Sequence, residues 1–143
     1  FFYKGNNMQN TIKLMRLSLG IIFVWYGMLK FFPTLSPAED LAIKTIDIMF
    51  FHLIDGSLSI KLLAILEVAI GIGFLSGYYT KLVTIIFLGH MLCTFAPLFI
   101  LPELSFTHAP YAFTLVGQYI VKNIVFILVG VMIYQNETKR AYK

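Results

Sequence analysis

Four long apolar runs constrain this chain more than any other feature. They cover approximately 12–32, 60–77, 82–101 and 114–134. Each meets the length of about 17–25 residues that an α-helix needs to cross a bilayer. A soluble domain averages about 45–50% apolar and about 25% charged residues. This chain of 143 residues is 59% hydrophobic and 13% charged. The composition predicts an all-α integral membrane protein, a four-helix bundle in one transmembrane domain over 1–143. It leaves no room for a separate soluble catalytic module. No cleavable leader is recognised before the first run, which follows Lys13 and Arg16 and reads as a retained helix. The single cysteine, Cys93, excludes an internal disulfide and argues against thiol–disulfide exchange.

The linker between the first two spans is too polar to cross. Ser36-Pro37-Ala38-Glu39 has the form of a capping box with proline at the first helical position. Asp40, Lys44 and Asp47 then recur on one face, and Gly56 reads as a stop. This predicts an amphipathic interfacial helix over about 37–55. Topology follows from basic residues. Lys4, Lys13, Arg16, Lys81, Lys139, Arg140 and Lys143 fall on the side that holds both termini, whereas the opposite loops hold only Lys44 and Lys61 with five acidic residues. The positive-inside rule places both termini in the cytoplasm and the interfacial helix on the periplasmic side. The net charge of +4 thus reads as a topology signal, and no nucleic-acid partner is expected.

Glu67 is a carboxylate inside the second run. An ionised group near the bilayer centre costs roughly 2.5–3.5 kcal/mol on insertion scales, so such residues face a protein interior and have partners. Helical spacing gives each span one polar or small face: Arg16, Gly20, Phe23, Gly27 and Lys30 in the first, and Ala64, Glu67, Gly71 and Phe74 in the second. Ile86, His90, Cys93 and Pro97 form the third face, and Gln118, Lys122, Val125 and Val129 the fourth. Counting from the span ends puts Glu67 and Lys122 both roughly 10–12 Å below the periplasmic surface. Lys122 is therefore the expected partner, with Lys30 a second candidate that either reaches Glu67 or snorkels outward.

Two readings stay open: a static ion pair that sets helix register, or a polar pocket for the head group of a quinone, lipid or other small molecule. A buried pair often adds little net stability, which weakens the first reading. His90 reads foremost as a hydrogen-bonded core histidine. No metal site and no covalent cofactor is expected.

Arg16-x-x-x-Gly20 with Gly27-x-x-Lys30, Leu66-Glu67-x-x-x-Gly71-x-x-x-Leu75-x-Gly77-x-x-x-Lys81, and Lys122-Asn123 resemble the DoxX-like family in order and spacing. Gly117-Gln118-Tyr119 and the 36–39 linker are similar to those of a bacterial subgroup. The resemblance implies a small bacterial inner-membrane protein whose recurring polar positions are Arg16, Lys30, Glu67 and Lys122. It also implies a link to the membrane subunit of thiosulfate:quinone oxidoreductase and to oxidative-stress complexes. The residues themselves carry no thiosulfate chemistry. The expectation is therefore an accessory membrane subunit more than a self-sufficient enzyme. It is redox-associated, with quinone as candidate ligand and Lys30, Glu67, Lys122, His90, Gln118, Asn123 and Arg16 as the pocket set. Its expected partners are the lipid bilayer and either other membrane or periplasmic subunits or further copies of itself. The alternative is a non-catalytic structural or assembly subunit of a larger complex.

Overall fold

A computed structural model describes residues 2–36 and 39–141. Among them, four helices are long and apolar enough to cross a membrane: Asn7–Leu29, Gly56–Ser76, Thr80–Ile100 and Leu115–Arg140. The first lies within α1 (Phe2–Leu29), the second is α3 (Gly56–Ser76), and the fourth lies within α7 (Leu115–Ala141). The third is broken into α4 (Thr80–Cys93) and α5 (Pro97–Ile100). Pro97 has no amide proton to continue the ladder. The amides of Phe95 and Ala96 accordingly donate three residues back, to Leu92 and Cys93, as the turn tightens.

The linker helix, α2 (Glu39–Met49), is shorter than expected. Its stop is not Gly56. Phe51 and His52 take left-handed φ values of 54° and 59°. His52 N–H then donates to Asp47 O at 2.8 Å and Phe51 N–H to Ile48 O at 3.2 Å, the paired bonds of a Schellman cap. Gly56 instead opens α3, whose N-cap is Asp55, with Oδ2 accepting from Ser57 N–H at 3.0 Å. Of the expected capping box, Pro37 and Ala38 lie outside the described residues, and Glu39 Oε2 accepts from Thr34 N–H at 2.8 Å. The connection into α7 forms a further short helix, α6 (Pro102–Ser105), and a small antiparallel hairpin of β1 (Phe106–His108) and β2 (Ala112–Phe113).

The chain ends share one end of the bundle, where Gln9 Nε2 donates to Asn136 Oδ1 at 2.8 Å. The helices pack mainly as two pairs, α1 with α3 and α4 with α7. The first pair is antiparallel and close. A Cβ added at Gly71 would lie 2.6 Å from Val24 N, and one at Gly27 would lie 3.0 Å from Val68 N. In lipid, where apolar tails solvate leucine as well as protein does, such backbone contact is a main source of helix association. The two pairs meet at an aromatic cluster in which Phe87 packs edge-on against Phe23 and Phe74, with centroids 5.1 and 5.3 Å apart. Large aliphatic side chains such as Ile21, Ile65, Ile72, Leu82 and Leu128 remain exposed on the outside, where a bilayer solvates them.

Gly71→Val is expected to force α1 off α3 and lower stability by about 1–3 kcal/mol. A Cβ at Gly89 meets nothing within 4 Å, so Gly89→Ala is expected to stay near wild type. Thermal unfolding in detergent distinguishes the two; equal midpoints would refute the glycine-seam account.

Candidate functional site

The α1–α3 seam explains where the buried charges go. Because Gly27 has no side chain, the Glu67 Cβ comes within 3.1 Å of the place where a Gly27 Cβ would stand. The carboxylate is thereby held beside the end of α1. Lys30, one residue beyond that helix, places Nζ 2.5 Å from Glu67 Oε2. The third member comes from the last turn of α4: His90 Nε2 lies 3.4 Å from Glu67 Oε1. All three side chains are buried, at 10%, 12% and 7% exposure for Lys30, Glu67 and His90. The His90 ring stands edge-on to Phe23, centroids 5.9 Å apart, so the cluster rests on the aromatic core.

One polar atom in this cluster is unsatisfied. His90 Nε2 is near enough to Glu67 for electrostatic attraction but lacks hydrogen-bond geometry, and it has no partner among the described residues. A buried polar nitrogen without a partner costs about 1–3 kcal/mol. The arrangement is a cation, a carboxylate and an imidazole with spare hydrogen-bonding capacity, joined across three helices. Chemically, such a set can donate hydrogen bonds to a polar group and exchange a proton with it. On the α1–α3 flank, an apolar groove of about 330 Å³ is lined by Ile21, Val24, Trp25, Met28, Leu29 and Leu75. Its α1 residues lie on a different face of that helix from Gly20, Phe23 and Gly27, and none of Lys30, Glu67 and His90 lines it.

The expected pocket set separates in space. Lys30, Glu67 and His90 come together. Lys122 does not join them: it is exposed on α7, with Nζ 5.4 Å from the centroid of the Tyr119 ring. Asn123, rotated about 100° from Lys122 on the same helix, turns inward instead, and its Nδ2 donates to Thr94 Oγ1 at 3.0 Å. The inward face of α7 is thus Ile120, Asn123, Gly130 and Ile133 rather than the stripe through Gln118 and Lys122, and Gln118 is exposed. The α4 face is displaced in the same way, with Thr84, Phe87 and Met91 buried while Ile86 and Cys93 are exposed.

The expected depths also change. The Asp55 cap starts α3 a turn earlier, so Glu67 sits 11 residues past Gly56, about 16 Å along the helix, against about 10 Å for Lys122 along α7. Arg16 belongs to the other end of the bundle, where Nη1 donates to Phe74 O at 2.6 Å and caps the C-terminus of α3. Thr94 was not singled out from the sequence. Its signal was its place four residues after His90, just before Pro97.

A family model, DoxX, matches residues 11–101. The chain belongs to the DoxX family. The match takes in Arg16, Lys30, Glu67 and His90 and ends before α7, so Lys122 and Asn123 lie outside it. No curated protein and no solved structure matches the chain.

Removing one member of the buried pair strands the other. Glu67→Leu or Lys30→Met alone is expected to cost about 3–5 kcal/mol, whereas the double variant loses much less. A double-mutant cycle on unfolding free energy checks this. Additive losses would mean that the two charges do not depend on each other.

Proposed function

We propose that this DoxX-family protein is the membrane subunit of a redox system and that Lys30, Glu67 and His90 bind the head group of a quinone. The buried, unpartnered His90 Nε2 beside a charge pair carries this reading. A quinone carbonyl oxygen accepts hydrogen bonds from the Lys30 ammonium and from the N–H of the His90 Nε2 tautomer, while the prenyl tail lies along the apolar outer surface of the bundle. Reduction to the quinol consumes two electrons and two protons. A partner protein supplies the electrons, one proton comes from whichever of Lys30 and His90 donates to the bound carbonyl, and water supplies the second at the other carbonyl. On this reading the protein lies in the bacterial inner membrane with its termini in the cytoplasm, as the basic residues near them suggest.

Quinone is expected to copurify with the wild type, to fall about tenfold in His90→Phe, the loss of one hydrogen bond to a ligand, and to fall in Glu67→Gln, which removes the carboxylate that positions Lys30. Solvent extraction and chromatography of the purified proteins measure it. Folded variants with unchanged quinone content would overturn the proposal.

An assembly role has its own support. Gln118 and Lys122 are exposed on a spanning helix, where a cation facing lipid is costly, so a neighbouring subunit that covers them would relieve that cost. On this reading Lys122→Met reduces recovery of the partner in mild detergent while leaving quinone content unchanged. Undiminished recovery would count against it.

A further inference from the structure

A second polar site lies at the end of the bundle that holds the chain termini. There α1, the α3–α4 turn and α7 enclose a cleft of about 260 Å³ whose walls include Lys13, Arg16, Gly77, Thr80 and Arg140. We infer that this cleft binds a phosphate group, carried either by a phospholipid head group or by a free phosphate.

Charge is the first argument. Lys13, Arg16 and Arg140 line the cleft against one carboxylate, Glu137, a formal surplus of two positive charges. That carboxylate is already engaged, since Glu137 Oε1 lies 3.4 Å from both Arg140 Nη1 and Asn136 Nδ2. Preorganisation is the second. Arg16 is anchored by the bond from Nη1 to Phe74 O, so one of its five N–H donors fixes the planar fork and the others are left for a ligand. Planar, fixed guanidinium groups suit phosphate oxygens better than mobile ammonium groups do.

The third argument comes from α4. Its N-cap, Tyr79, makes no side-chain capping bond, and Thr80, the first helical residue, is buried in the cleft wall. The positive dipole end of this 14-residue helix is thus at Thr80, in the same cleft wall that Lys13, Arg16 and Arg140 line. A cleft of this size holds a phosphate together with its attached glycerol. It also sits at the end of the spanning segments, the level at which lipid phosphates lie.

The site is separate from the Glu67 cluster. Phe74, whose carbonyl Arg16 caps, is seven residues further along α3, about 10 Å away. Binding here is expected to persist in Glu67→Gln, so the two proposals fail independently.

The test uses the full chain in phosphatidylcholine nanodiscs with and without phosphatidic acid, and in detergent with inorganic phosphate, read by native mass spectrometry and phosphorus NMR titration. Lys13→Gln/Arg140→Gln removes two cations while leaving the Arg16 cap intact. It is expected to weaken binding roughly 25-fold, at about fivefold for each charge. Glu137→Gln is expected to strengthen binding, an effect that loss of folding does not mimic. Retention of phosphatidic acid that phosphate does not displace identifies a lipid head group. Saturable binding of phosphate itself identifies a free phosphate. Binding of neither probe to the wild type, or equal binding by wild type and both variants, overturns the inference.

Discussion

The structure depends on holding a carboxylate inside an apolar bundle. Glu67 is tolerable there because Lys30 and His90 stand beside it, and Lys30 does so because α1 and α3 touch along glycines. A side chain at Gly27 would intrude on Glu67 Cβ and Val68, and one at Gly71 would meet the backbone of α1. Close packing and charge neutralisation are therefore one constraint. Loosening the seam would lengthen the ion pair, and breaking the pair would leave a buried charge that the seam cannot compensate.

Two basic residues, Arg16 on α1 and Lys30 just past its end, fasten α3 at two levels. Arg16 and Lys30 are 14 residues apart, close to four helical turns and about 21 Å, and so fall on the same face. Because α3 runs antiparallel, Arg16 meets its C-terminal carbonyls, where the helix dipole favours a cation. Lys30 meets the carboxylate near its middle. The α4–α7 pair has a different kind of link, the neutral bond from Asn123 to Thr94 just before the Pro97 break. His90 joins the two pairs, since it lies on α4 yet its Nε2 points at Glu67. A site at this junction is sensitive to relative motion of the pairs.

Glycines and charges on one face made the first half of the chain readable. Gly20, Phe23, Gly27 and Lys30, and Ala64, Glu67, Gly71 and Phe74, are the faces that meet, because close backbone approach requires glycine and a buried charge requires a partner. Ends of elements were harder. The stop of α2 is a Schellman cap with phenylalanine rather than glycine in the left-handed position, so nothing in the residue type announced it. Gly56 was misread as a stop because a helix begins there by virtue of the preceding Asp55 side chain.

Length, apolarity and residue spacing by themselves determined that the chain crosses a bilayer four times and that Glu67 needs a cation. Which cation it takes was decided only by the tertiary structure. In the third and fourth spans the buried residues, Phe87, Met91, Ile120 and Ile133, are of the same kind as the exposed ones, Ile86, Leu92, Ile124 and Leu128. Lipid solvates such side chains as well as a protein core does, so hydrophobicity cannot tell the two faces apart. The rotation of α7 is fixed instead by contacts between helices, among them Asn123 with Thr94 and Gly130 with Phe87, and that rotation turns Lys122 outward. Lys30 is left as the counter-charge because it follows Gly27 by three residues on a helix that has no choice of face.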